Sequence, residues 1–191
     1  MGREFCIRLS LPGDYQASAA PFDPLPSPEF SEMIDDDPGN PLFLTEVCRI
    51  LGANGVRFEI QGFFTPALPV STADDLVFLL EALPGLFRFL TDNSIPNCSI
   101  GLWGQGIETV FSIAKKTHDD AVEITCSTTT NRPMEKTADS ISRQELARQL
   151  MAFVKTYREA VARYCDRFLT ERWNQDLVNL CNLLPIDCLV K

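Results

Sequence analysis

The chain contains one histidine, His118, in the stretch Lys115-Lys116-Thr117-His118-Asp119-Asp120. Histidine is the usual acid–base group near neutral pH, and His118-Asp119 has the composition of a proton-transfer pair. Its surroundings instead read as the solvated tip of a hairpin. A Ser-His-Asp triad or a multi-histidine metal site would have to use this residue, and no Gly-x-Ser-x-Gly nucleophile motif accompanies it. Seven cysteines are spread through the sequence as Cys6, Cys48, Cys98, Cys126, Cys165, Cys181 and Cys188. The number is odd, the spacings are wide and no Cys-x-x-Cys occurs, so neither a zinc site nor a disulfide framework is indicated. In Val178-Asn179-Leu180-Cys181-Asn182-Leu183-Leu184 the thiol serves as a small hydrophobe. Reduced, buried thiols and a cytoplasmic location are the expectation.

Two further stretches invite a ligand. Gly101-Leu102-Trp103-Gly104-Gln105-Gly106 looks like a phosphate-cradling loop, but its glycine spacing fits neither nucleotide fingerprint, and a strand follows where the mechanism needs a helix N-terminus. A tight turn with Trp103 packed nearby is the simpler reading. Asp35-Asp36-Asp37-Pro38-Gly39-Asn40 has oxygen ligands for a hard cation, yet the acidic residue that closes a calcium loop at its twelfth position is missing. No cofactor and no metal are expected. The acids form no motif that would single out a glycosidase pair.

The 191 residues are 45% hydrophobic and 23% charged, which fits one ordinary globular domain spanning 1–191. A net charge of -9 argues against direct nucleic-acid binding, which needs concentrated Lys and Arg. The longest apolar run, Leu76–Leu80, is far short of a bilayer span, so no membrane role is expected. No secretory signal is legible at the N-terminus, and Cys6 stands where a myristoylation motif wants Ser or Thr.

The elements that must position any site follow from periodicity. Residues 3–10 alternate as a strand. Residues 11–41 hold seven of the thirteen prolines and seven acids with no basic residue, so neither helix nor central strand can run through them. Residues 42–63 read as a β-hairpin: an arm over 43–51, a turn at Ala53-Asn54-Gly55, and a second arm over 56–63 in strict alternation. A hydroxyl and acids at Ser71–Asp75 open a helix with Leu76, Leu79, Leu80, Leu83, Phe87 and Leu90 at helical spacing. Pro84-Gly85 predicts a kink or two short helices between 73 and 92. A three-stranded meander is expected over 98–103, 107–114 and 121–128, followed by a polar loop over 129–141. Ser142–Glu145 is a capping box. It opens a long helix with the stripe Leu146, Leu150, Phe153, Tyr157, Val161, Tyr164 and Phe168. A short helix over roughly 171–184 ends before Pro185. Strands and helices do not alternate singly, so the class is α+β: a mostly antiparallel sheet, hairpin plus three-stranded meander, packed by a kinked helix and a long C-terminal helix.

Charge is unevenly distributed. Residues 1–140 carry twenty acids and nine bases, whereas 141–191 carry six acids and eight bases. The long helix alone holds Arg143, Arg148, Lys155, Arg158, Arg163 and Arg167. The acidic, Pro-rich loop at 11–41 would set up a field that attracts a basic partner.

Several stretches together resemble small bacterial immunity proteins encoded beside polymorphic or contact-dependent toxins. They are Gly55-Val56-Arg57-Phe58-Glu59-Ile60, Leu79-Leu80-Glu81-Ala82-Leu83-Pro84, Gly104-Gln105-Gly106-Ile107-Glu108, Val122-Glu123-Ile124-Thr125-Cys126, and the long helix with Phe153 and Tyr157. The resemblance covers roughly 42–168 and leaves the N-terminal loop without a counterpart. It implies a non-enzymatic, cytoplasmic inhibitor that binds one basic toxin domain one-to-one and blocks its active site or substrate surface. The residues expected to serve are Glu32, Asp35, Asp36 and Asp37 for charge and Phe22 and Phe30 as anchors. Trp103 and Gln105 form a second surface. A secretion chaperone or adaptor for an effector is the competing reading, and an enzyme with an unrecognised site comes after it.

Overall fold

The computed structural model describes residues 4–13, 42–64, 67, 68, 70–104, 108–116, 120–129, 134–170 and 172–182. The first strand, β1 (Cys6–Ser10), pairs antiparallel with β2 (Arg57–Gln61), with Ile7 opposite Ile60 and Leu9 opposite Phe58. The alternation expected for the second arm is present: Val56, Phe58 and Ile60 are buried, while Arg57 is exposed and Glu59 pairs with Arg8 across the strands on the wet face.

The partner of β2 is not the segment before it. Residues Leu42–Ala53 form a helix, α1, where a hairpin arm was expected. Phe43, Leu44, Val47, Cys48, Ile50 and Leu51 are buried, a spacing of three and four that wraps one helical face. Asn54-Gly55 ends this helix instead of turning a hairpin. The Val56 amide donates to the Leu51 carbonyl at 3.1 Å and the Gly55 amide to the Gly52 carbonyl at 3.0 Å, the two bonds of a Schellman motif. Gly55 has φ of +77°, the left-handed conformation that both turn types require, so the dipeptide alone could not tell them apart.

Helix α2 (Leu76–Thr91) runs without interruption through Pro84, in place of two short helices. Every residue of its expected stripe is buried, together with Val77, Leu86 and Phe89, so the helix is apolar over most of its circumference and sits centrally. Pro84 has no N–H to offer the Leu80 carbonyl, and the burial of nine of the sixteen residues outweighs that one lost bond.

The second sheet has order β3-β4-β5-β6: β3 (Asn97–Leu102), β4 (Thr109–Lys115), β5 (Ala121–Thr128) and β6 (Ala138–Ser142), all antiparallel. The meander is thus four-stranded, and β6 occupies part of what was expected to be a polar loop. Ile141, opposite Val122, is the one buried residue of this edge strand, so its sequence carries almost no alternation signal.

Ser142 caps helix α3 (Arg143–Tyr164), its hydroxyl accepting from the Glu145 amide at 3.0 Å. Only half of the capping box forms, because the Glu145 carboxylate turns to Arg148 and Gln149. The stripe from Leu146 to Val161 is buried, but the helix stops at Tyr164, and Phe168 lies on a 3-10 turn over Asp166–Thr170. Helix α4 (Arg172–Cys181) follows.

The buried side chains make one contiguous cluster. Phe5, Phe63 and Phe111 meet at its centre with ring centroids 5.7 to 5.9 Å apart, joining the two sheets. The fold is α+β. Among the described residues no helix is long and apolar enough to cross a membrane.

Candidate functional surface

Strand β3 turns Ile100 and Leu102 into the core and leaves Ser99 and Gly101 on the opposite face. The antiparallel register continues that face in rows across the sheet: Asn97, Ala114, Glu123 and Ser140; Ser99, Ser112, Thr125 and Ala138; Gly101, Val110 and Ser127. These side chains are mostly small, five of the eleven residues are Ser or Thr, and Glu123 is the single charge among them. A shallow depression of about 490 Å³ opens here, walled by Ser99, Ser112, Glu123 and Thr125.

Trp103 stands at one end of the face. It is 54% exposed and is the one large hydrophobic side chain exposed among the described residues. Its indole folds back over Gly101, where a Cβ would lie 2.6 Å from Nε1 and 2.8 Å from Cε2. Glycine at 101 therefore makes room for the ring to rest against the strand. On the other side, a Cβ on Gly104 would lie 2.0 Å from Asp75 Oδ1 and 2.9 Å from its Cγ. Two glycines thus bracket the tryptophan, one seating its ring and one letting its backbone press against the start of α2.

Asp75 is the buried charge of this junction, 1% exposed. Its Oδ2 accepts from the Ser71 amide at 2.6 Å, while the Ser71 hydroxyl donates to Asp74 at 2.7 Å. This is the helix start expected from Ser71–Asp75, placed one turn ahead of α2, with Asp75 rather than Ser71 as the residue preceding the helix. Oδ1 faces Gly104 and makes no hydrogen bond of ordinary geometry. Burial raises the Asp75 carboxyl above its ordinary 3.8; the Ser71 and Gly104 amides pull it down, and Asp74 adds to the rise. Gly104, within the stretch that looked like a phosphate loop, therefore lies against an internal carboxyl group.

Of the residues expected to serve in binding, Trp103 alone is described. Glu32, Asp35, Asp36, Asp37, Phe22, Phe30 and Gln105 lie outside the described residues, as does His118. What sequence reasoning missed is the pairing of Gly104 with Asp75 and the Ser/Thr-rich face beside Trp103. The alternation in β4 and β5 was a signal for that face, since Ser112, Thr125 and Ser127 fall on the polar beats.

The six described cysteines are free, with Cys48, Cys126 and Cys165 buried. Burial pushes the thiols of Cys98, Cys126 and Cys165 up to about 12 and raises Cys48 further. Thiols held in this form are poor nucleophiles. Among the described residues no group of three or more His, Cys, Asp or Glu could hold a metal ion.

No family model matches the chain, and no similar curated protein or solved structure was found.

Proposed function

We propose that this protein is an immunity-type inhibitor, which binds one basic toxin domain one-to-one and blocks its active site or substrate surface. The observation that carries the reading is Trp103, a large apolar side chain held half in water by two glycines at the rim of an open sheet face. A few aromatic anchors dominate most protein interfaces, and a tryptophan already seated in one rotamer has less conformational entropy to lose on binding. Hydroxyls and small side chains around it suit the polar rim of such an interface. The net charge of -9 supplies long-range attraction to a basic domain, and the acids of 11–41 concentrate it.

Pull-down of the tagged chain from lysate of its source, with mass spectrometry and a salt titration, tests this reading. A single stoichiometric partner that is released by salt, and that is toxic unless this chain is co-expressed, is the expected result. A partner that is merely unstable alone would point to a chaperone, and recovery of no partner would remove the reading.

A further inference from the structure

A groove of about 410 Å³ lies between the outer side of α3, the 3-10 turn and α4. Met151, Val154 and Ala162 line it from α3, Leu169 from the turn, and Val178 and Cys181 from α4. Lys155 and Arg158 also line it, three residues apart and therefore neighbours on one helical face. Neither makes an ion pair among the described residues, although Arg148 and Arg143 on the same helix do. Glu159 shares the wall, which leaves the lining net positive in a chain of net charge -9. Burial pushes the Cys181 thiol up to about 11 and Arg158 opposes that, so the guanidinium charge is felt at the apolar floor.

We propose that this groove is a binding site for a free anionic amphiphile, an acyl carboxylate whose chain lies on Met151, Val154, Leu169 and Val178 and whose head bridges Lys155 and Arg158. The volume falls in the range of about 300–1,000 Å³ typical of small-molecule sites, which are mostly apolar with a few placed polar groups. Six of the ten residues that line the groove are apolar and two of the others are cationic, a lining that suits an apolar chain with an anionic head. The site is separate from the Trp103 face, and the inference does not depend on the toxin-inhibitor reading.

The test is calorimetric titration of the full chain with dodecanoate below its micellar concentration. A parallel titration uses dodecyltrimethylammonium, which has the same chain and the opposite head charge. Saturable one-to-one binding of dodecanoate is expected. It should weaken at least tenfold in the K155Q/R158Q double variant, whose exposed side chains contribute little to folding. The cationic amphiphile should bind at least tenfold more weakly, and dodecanoate should slow alkylation of Cys181 by iodoacetamide. Absence of saturable binding, equal binding of both head groups, or unchanged affinity in the double variant would each overturn the proposal. Capture by phosphatidylglycerol vesicles without dodecanoate binding would overturn it in favour of a membrane surface.

Discussion

Gly104 and Asp75 are in such close approach that a Cβ at position 104 would stand 2.0 Å from the Asp75 carboxylate oxygen. Two parts of the chain meet there, the turn after β3 and the turn before α2, and the glycine is what lets them close on each other.

Gly104→Ala should therefore cost about 1–3 kcal/mol, the usual range for overpacking a filled site. In an Asp75→Ser background the same change should cost clearly less, because the shorter side chain vacates the contested space. Urea unfolding of the four chains measures both terms. Equal costs in the two backgrounds would mean that Asp75 is not what the new methyl meets.

The pH dependence follows from the direction of the Asp75 shift. Its carboxyl is raised by burial, so the folded state favours the protonated form. The stabilisation this brings is complete below the ordinary value of 3.8 and disappears as pH rises through the raised folded value. Asp75→Asn keeps the Ser71 contact without the charge, so its stability relative to the parent should grow from acidic to neutral pH. Urea midpoints of both chains between about pH 3.5 and 7 show this. A variant that loses stability relative to the parent as pH rises would contradict the assignment.

Trp103→Ala should cost no more than about 2 kcal/mol, since only the part of the ring that rests on the strand is lost and the core stays intact. Partner affinity should nevertheless fall at least tenfold, or about 1.4 kcal/mol. Lost affinity with intact folding, read by calorimetry and unfolding together, is the signature of an interface anchor. Unchanged affinity would take Trp103 out of the interface.

Gly101→Ala places a methyl 2.6 Å from the Trp103 Nε1 and should lift the ring from the strand. The Trp103 contribution to fluorescence, isolated in a Trp173→Phe background, should become more accessible to acrylamide. No change in quenching would mean the indole does not rest on Gly101.

Reversing Asp35, Asp36 and Asp37 to Lys should leave the unfolding midpoint in place and weaken partner binding at least tenfold, with a shallower salt dependence. Binding that ignores this six-unit change of charge would remove the acidic segment from the interface.

How much of this was legible in advance differs from element to element. The buried beats of β2, the stripe of α2, the Ser142 cap and most of the α3 stripe could be read directly, because each reports a local period or a local hydrogen bond. The arm over 43–51 could not be read by propensity, since a short apolar run suits a helix or a strand. Its three-and-four spacing of buried positions was the better signal. At Asn54-Gly55 one left-handed residue serves equally in a hairpin or a Schellman cap. Strand β6 was hidden for another reason: an edge strand with one buried residue has no pattern to show.

By itself the amino-acid sequence determined the α+β class, the acidity and its concentration before residue 42, and the faces of those elements whose burial is periodic. Tertiary structure alone decided that β1 pairs with β2 across α1, that Asp75 is buried against Gly104, and that Trp103 rests on Gly101 with its far side in water. Local preference reaches only a few residues along the chain. The approach of Asp75 to Gly104 and the pairing of β1 with β2 join residues 29 to 55 positions apart, and they exist only because the shared core brings those positions together; the Trp103–Gly101 contact is local, and the core decides only which side of the ring stays open.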